Sequence, residues 1–266
     1  MSAIQGIDPT SRRVPPMGGF NLTLVGIELR RMLRNRRSLF FALVFPSLMY
    51  FIFGSGDQGA EKLGGGAAPD SNVSAYVMVS MALYGGALIA ASTGAGVAVE
   101  RALGWSRQLR LTPLNPGVYI VVKALMALVL SAVAIVVVNA TGVVQGKPDM
   151  PVDVWVACGL LTLACTLVFA ALGVFVGYLV PGENAMQVLG PGLALLSFLG
   201  NVFLPLDEGS TVYRIAQWTP MFGVGEISRW PLTGDLAWTS VLNTVAWLVI
   251  LVAGAAWRMS RDTARV

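Results

Sequence analysis

The stretch GVYIVVKALMALVLSAVAIVVVNA, residues 117–140, holds a single charged side chain, Lys123. An α-helix rises 1.5 Å per residue, so about 20 apolar residues are needed to cross the roughly 30 Å hydrocarbon core of a bilayer. This stretch is long enough to do so. It therefore predicts a membrane-spanning helix, with Lys123 extending its amino group towards the nearer headgroups.

Five further stretches along the chain meet the same criterion. The six predicted spans are residues 38–54, 74–99, 117–140, 154–180, 185–203 and 237–257. The 266-residue chain is 55% apolar and only 12% charged, well below the roughly 25% of charged residues in a soluble domain. We therefore predict an all-α membrane protein with one six-span domain at residues 38–257.

The basic residues are unevenly distributed between the two sides of the predicted bundle. Thirteen Lys and Arg lie in the two terminal regions and the loop after the second span, against four in the loops on the opposite side. Because Lys and Arg favour cytoplasmic loops, we expect a multi-pass protein of the bacterial inner (plasma) membrane with both termini cytoplasmic. Residues 1–20 and 258–266 would be the cytoplasmic tails. The net charge of +4 would arise from the basic residues that set the membrane orientation, and no nucleic acid is expected as a partner.

Several classes of chemistry are disfavoured by composition. The chain has no His, which removes imidazole catalysis and His-containing metal sites, and we expect Cys158 and Cys165 to fill the core. No catalytic residue, metal site or cofactor is predicted in this chain. The spans contain almost no ionisable side chain and the sequence has no phosphate-binding loop, so the energy for any transport must come from another polypeptide.

Two segments on the basic side are too polar to span but have helical periodicity. Residues 21–37 predict an interfacial amphipathic helix that contacts membrane lipid. Its apolar face carries Leu22, Val25, Leu29, Met32 and Leu33, and its polar face carries Glu28, Arg30, Arg31 and Arg34. Residues 100–114 predict a second short helix, which places Trp105 and Leu109 on one stripe and ends at Thr112-Pro113.

On the opposite side, residues 204–236 alternate apolar and aromatic residues without a run long enough to cross. We predict a re-entrant outer segment made of two short helices that dip into the outer leaflet. The residues singled out in this segment are Pro205, Leu206, Trp218 and Pro220. Glycines in the spans, among them Gly94 and Gly173-x-x-x-Gly177, predict close packing of helices within the chain.

Taken together, these features resemble a known family. The segment Glu100-Arg101-x-x-Gly104-Trp105-x-x-x-Leu109-x-x-Thr112-Pro113-Leu114, the basic N-terminal helix, the six spans and Phe203-Leu204-Pro205-Leu206 are similar to ABC-2 type permeases. These are the membrane subunits of ABC exporters, including the daunorubicin-resistance multidrug type and polysaccharide exporters. The resemblance implies a homo- or heterodimer of permeases with a cytoplasmic ATP-binding subunit, which binds the ATP and Mg.

The resemblance also implies roles for individual residues. The loop between the second and third spans is the coupling helix of that family, which sits in a groove of the ATPase. The implied contact residues are Glu100, Arg101, Gly104, Trp105, Leu109, Thr112 and Pro113. Glu28, Arg30, Arg31 and Arg34 would belong to the connecting helix beside it.

The expected function is therefore that of a permease subunit of an ATP-driven exporter. Because the spans hold few polar groups, we expect hydrophobic or amphipathic cargo, a drug, lipid or peptide, moved outward by alternating access. Two alternatives stay open: a polysaccharide or glycolipid exporter permease, and a membrane sensor or scaffold that transports nothing. An intramembrane enzyme is disfavoured by the missing His and the lack of carboxylates within the spans.

Overall fold

The computed structural model describes residues 22–34, 36–104, 116–180, 184–203, 206–207 and 209–263. Across these residues the chain is all-α, as predicted. The helices are α1 (Leu22–Leu33), α2 (Arg36–Gly54), α3 (Val73–Ala102), α4 (Pro116–Gln145), α5 (Val152–Leu179), α6 (Asn184–Leu199), α7 (Thr211–Ala216), α8 (Pro220–Thr233) and α9 (Trp238–Thr263). A short 3₁₀ helix, Asp57–Ala60, lies between α2 and α3.

Four of the described helices, α3, α4, α5 and α9, are long and apolar enough to cross a membrane. The stretches predicted as the first and fifth spans form the shorter apolar helices α2 and α6, and each continues through an internal proline, Pro46 and Pro191. Helix α3 extends beyond the predicted end of the second span to Ala102. Glu100 and Arg101 are therefore part of α3, and the prediction that they begin a separate helix is wrong.

Helix α3 lies at the centre of the bundle and contacts α2, α4, α5, α6 and α8. Its closest approach is to α5. A Cβ atom added to Gly173 would lie 2.0 Å from the Ala91 carbonyl oxygen, and one added to Gly94 would lie 2.3 Å from the Ala170 carbonyl oxygen. Only glycine fits at such distances, which confirms that these small residues pack helices within the chain.

The buried core runs along α3 and α5. Cys158 and Cys165, both on α5, are free thiols buried among apolar side chains, as expected from the sequence. The core also contains a series of edge-to-face aromatic contacts. Ring centroids are 5.9 Å apart for Phe45 and Tyr84, 4.8 Å for Tyr84 and Phe203, and 4.9 Å for Phe203 and Phe198. These rings connect α2 with the end of α6 across α3.

The two ends of the bundle are held by different polar contacts. At the end where α3 begins, the Asn72 side chain caps α3 by accepting a hydrogen bond from Ala75 N at 3.0 Å. The same amide accepts from Asp149 N at 3.0 Å and donates to the Lys147 carbonyl at 2.7 Å, which ties α3 to the loop between α4 and α5. We call this the Asn72 end, and the opposite one, where α3 ends and α4 begins, the Glu100 end.

Candidate functional site

Helix α1 lies against α4 at the Glu100 end. Leu29 and Met32 pack on a small core that contains Ile89 and Leu130, which agrees with the predicted apolar face. Glu28 differs from the prediction. Its side chain is buried in the bundle, whereas Leu33, assigned to the apolar face, is exposed. The predicted division of α1 into two faces is therefore wrong at these two positions.

The buried carboxylate of Glu28 contacts Lys123 of α4. The Lys123 amino group lies 3.1 Å from Glu28 Oε2 and also contacts Glu100 Oε1 of α3. The Tyr119 hydroxyl donates a hydrogen bond to Glu100 Oε2. Lys123 is only 3% exposed, so the expectation that it extends to the headgroups is wrong. We call Glu28, Glu100, Tyr119 and Lys123 the ion cluster.

The ion cluster explains why Lys123 stays inside the bundle. Removing a charge from water costs several kcal/mol, and this cost is offset only where the partners are close and their remaining polar atoms are satisfied. Here two carboxylates meet one ammonium group, and a phenol satisfies a further carboxylate oxygen. Because the partners come from α1, α3 and α4, the same contacts fix those three helices to one another.

A second contact extends this connection to α5. The Arg101 Nη1 donates to the carbonyl oxygens of Gly177 at 3.2 Å and Tyr178 at 3.4 Å, and its guanidinium lies 4.9 Å from the Tyr178 ring centroid. A cation at a helix C-terminus is favourable because the last carbonyls of a helix lack partners within it. Gly104 then ends α3 with φ of 72°, a left-handed conformation that suits glycine at the end of a helix.

Of the residues proposed from sequence to contact an ATPase, Trp105, Leu109, Thr112 and Pro113 lie outside the described residues, as does Pro205 of the outer segment. Glu28, Glu100 and Arg101 are brought together at the Glu100 end. Arg30 on α1 and Arg34 in the turn after it are exposed, and Arg31 belongs to α1.

Sequence reasoning missed Tyr119 and gave Lys123 a different position. One feature of the sequence could have indicated the ion cluster. The two residues are four positions apart, so they share a face of α4, and a lone lysine on an otherwise apolar face requires an acidic partner.

The outer segment contains a second buried charge. Arg229 of α8 is 1% exposed. Its guanidinium donates to Ser80 Oγ and to Glu226 Oε1, both at 3.1 Å, and lies 4.6 Å from the Tyr76 ring centroid. Arg229 is one of the four basic residues counted in the loops opposite the basic side, but the structure places it on α8, where its side chain contacts α3. It can be buried there because a carboxylate and a hydroxyl accept its hydrogen bonds.

The turn between α7 and α8 packs against the side of α9. The carbonyl oxygen of Gln217 accepts a hydrogen bond from Asn243 at 2.7 Å, and that of Trp218 accepts one from Trp247 at 2.9 Å. These partners lie roughly 8 and 14 Å along the axis of α9 from its first residue, Trp238. The two predicted short helices of the outer segment are present, and the turn that connects them lies beside the first half of α9. Pro220 begins α8.

We expect Arg229→Met to reduce stability. The variant leaves Ser80 Oγ buried without a partner and removes the cation beside Glu226, at a cost of about 2 kcal/mol. Arg214→Met, on the exposed side of α7, is the matched control and should change little. Thermal denaturation of the purified protein in detergent compares the two variants. Equal midpoints would show that Arg229 does not hold α8 to α3.

The structure as a whole indicates the class of protein to which this chain belongs. Four long apolar helices, one of which is the central α3, with buried ion pairs between helices, are typical of a helical multi-pass membrane protein. Comparison with known proteins gives the family. The ABC-2 type transporter model matches residues 21–233, so the chain belongs to the ABC-2 type transporter family, and the resemblance found in the sequence is confirmed.

A relative of known name agrees with this assignment. The chain is 25% identical over 232 residues to a protein of Bacillus subtilis (strain 168) named "Putative transport permease YvfS". The matched region covers 85% of this chain and 91% of that protein. The similarity therefore includes nearly the whole of both chains. It supports the general function of a membrane transport permease.

Proposed function

We propose that this protein is the permease subunit of an ATP-driven exporter that moves hydrophobic or amphipathic cargo outward across the inner membrane. A separate cytoplasmic subunit binds ATP and Mg and hydrolyses the nucleotide. The observation that carries the proposal is the ion cluster. It joins α1, α3 and α4 at the end of the bundle where α3 ends and α4 begins. Residues 105–115 connect these two helices, so a force on that segment would act on three helices at once.

The proposed coupling follows from how the segment is attached. Residues 105–115 connect the end of α3 to the start of α4, and ordered helices move as units. The proposed ATPase contacts are Trp105, Leu109, Thr112 and Pro113, with Arg101 and Gly104 just before them in the chain. Arg30 and Arg31 of the connecting helix α1 and Arg34 just after it would flank this contact. Glu100 positions the base of the segment from within the ion cluster.

The proposed topology has six crossings, with the Glu100 end and both termini in the cytoplasm. The count of basic residues supports this orientation. Helix α6 rises only roughly 24 Å, so its crossing requires flanking residues or a locally thinner bilayer. Helices α7 and α8 would form the re-entrant segment, and the contacts of their connecting turn with the first half of α9 support its insertion into the membrane.

A second permease subunit completes the proposed exporter. Helix α2 exposes apolar side chains, Phe41 and Phe51 among them, which suit either lipid or a second copy. Whether the transporter is a homodimer or a heterodimer depends on what covers this surface.

Leu109→Ala tests the coupling segment. An apolar anchor in a partner's pocket is expected to contribute enough affinity that its removal lowers ATP hydrolysis by the purified complex about ten-fold. Leu242→Ala, an exposed leucine of α9 towards the Asn72 end, is the matched control and should retain full hydrolysis. The measurement uses tagged permease purified from native membranes together with its bound subunits.

Two outcomes would contradict the proposal. If the wild-type preparation hydrolyses no ATP, the sensor or scaffold becomes the better interpretation. If Leu109→Ala and Leu242→Ala hydrolyse ATP equally, residues 105–115 are not the contact with the ATPase.

A further inference from the structure

A groove of about 230 Å³ runs between α4 and α9, with α3 and α5 as its floor. Small and aliphatic side chains form most of its lining, among them Ile120, Val252 and Ala256, and Tyr119, Lys123 and Tyr178 also line it. Ile120 and Val252 are also exposed on the outside of the bundle. The groove therefore opens sideways, towards the lipid of the proposed membrane.

The length of the groove matches one leaflet. On α9 the lining extends from Leu248 to Met259, which corresponds to roughly 16 Å along the helix axis. Half of the hydrocarbon core measures roughly 15 Å. A single acyl chain from the leaflet at the Glu100 end would therefore lie along the whole groove in contact with apolar atoms.

Basic residues flank Met259, the last residue of α9 that lines the groove, although these residues are not part of the lining. Trp257 is 51% exposed, and the guanidinium groups of Arg258 and Arg261 lie 5.7 and 4.1 Å from its ring. Tryptophan with arginine is typical of the headgroup level of a membrane. The Nε atom of Arg258 is buried and has no hydrogen-bond partner among the residues that the structure describes. Arg101 adds a further positive charge beside Tyr178, which lines the groove.

We propose that the groove binds one acyl chain of an anionic phospholipid, with its phosphate at Arg258. Charge complementarity with Arg258 and Arg261 favours an anionic headgroup, whereas Lys123, the cation of the lining, is already paired with Glu28 and Glu100. The bound lipid would connect α4 to α9 next to the ion cluster. The inference rests on the membrane placement in the proposed function but not on coupling to ATP.

Native mass spectrometry of the purified permease tests the headgroup. Phosphatidylglycerol and phosphatidylcholine with identical acyl chains are added in separate titrations. We expect the wild type to favour phosphatidylglycerol, and Arg258→Gln to weaken its binding about five-fold. Arg214→Gln, on α7, is the control and should behave as the wild type. Equal binding of the two lipids by the wild type, or no effect of Arg258→Gln, would overturn the headgroup assignment.

A second pair of variants tests the groove itself. Ala256→Trp fills the groove from its open side, so binding of both lipids should fall at least ten-fold. Ala253→Trp places the same ring on an exposed position of α9 outside the groove and should leave binding unchanged. Thermal denaturation of both variants checks that they fold. Equal lipid binding by the two variants contradicts the proposal, and so does a change in oligomeric state by Ala256→Trp without loss of lipid, which would identify a second copy as the occupant.

These binding measurements need neither ATP nor an ATPase. If the lipid-binding tests fail, the proposal for residues 105–115 is unaffected. If the ATP hydrolysis test fails, the proposal of a lipid in the groove is unaffected.

Discussion

Replacing Lys123 with Met should destabilise the protein by about 3–5 kcal/mol, the largest effect expected of any single substitution considered for this chain. The variant keeps the apolar stem of the side chain but removes the ammonium group that contacts the buried carboxylates of Glu28 and Glu100. The repulsion and desolvation of two carboxylates then act against the folded state. Thermal denaturation in detergent should show a much lower midpoint, together with a lower yield of monodisperse protein.

Lys62→Met is the matched control for this substitution. Lys62 contacts Asp70 at 3.0 Å, but the two side chains are 63% and 89% exposed. The hydrogen bond that the Lys62 amino group donates to the Asp70 carboxylate raises the pKa of Lys62, yet water screens the pair, so little change in stability is expected. A triple variant that combines Lys123→Met with Glu28→Gln and Glu100→Gln should recover part of the loss. If Lys123→Met and Lys62→Met have the same thermal midpoint, Lys123 does not stabilise the buried carboxylates.

Gly173→Ala should cost about 3 kcal/mol through steric overlap. The added methyl group would meet the Ala91 carbonyl oxygen at 2.0 Å, and backbone atoms of two long helices cannot move apart without disturbing the rest of the α3–α5 interface. The measurement is again the thermal midpoint of the purified protein, supported by the yield of folded material from membranes.

The same helix contains a suitable control for Gly173→Ala. A Cβ atom added to Gly159 would meet nothing within 4 Å. Since alanine favours helix more than glycine does, Gly159→Ala should be neutral or slightly stabilising. Loss of stability in both variants would point to a general effect of the added methyl group on α5 rather than to close contact with α3.

The membrane-spanning architecture was largely predictable from the sequence. Every backbone amide in lipid must find a partner within its own helix, so an uninterrupted apolar run leaves few alternatives to a spanning helix. The packing role of Gly173 was predictable for a similar reason, because glycines spaced four apart form a smooth helix surface. Boundaries were less predictable, as the extension of α3 through Glu100 and Arg101 shows.

The buried charges were not predictable in the same way. Glu28 and Lys123 are 95 positions apart in the chain, and periodicity within α1 describes only that helix. Arg229 presents the same difficulty, because its acceptor Ser80 is 149 positions away. A charge in an apolar environment implies a partner, but the identity of the partner depends on tertiary packing.

The aromatic contacts between Phe45, Tyr84, Phe203 and Phe198 have a consequence for motion in the bundle. Edge-to-face rings lose favourable contact when one of them turns relative to its neighbour. A rotation of α2 would change the angle of Phe45 on Tyr84, and through Phe203 it would disturb the end of α6. Helices α2 and α6 should therefore turn in concert, and spin labels placed on each would report one shared transition instead of two separate ones.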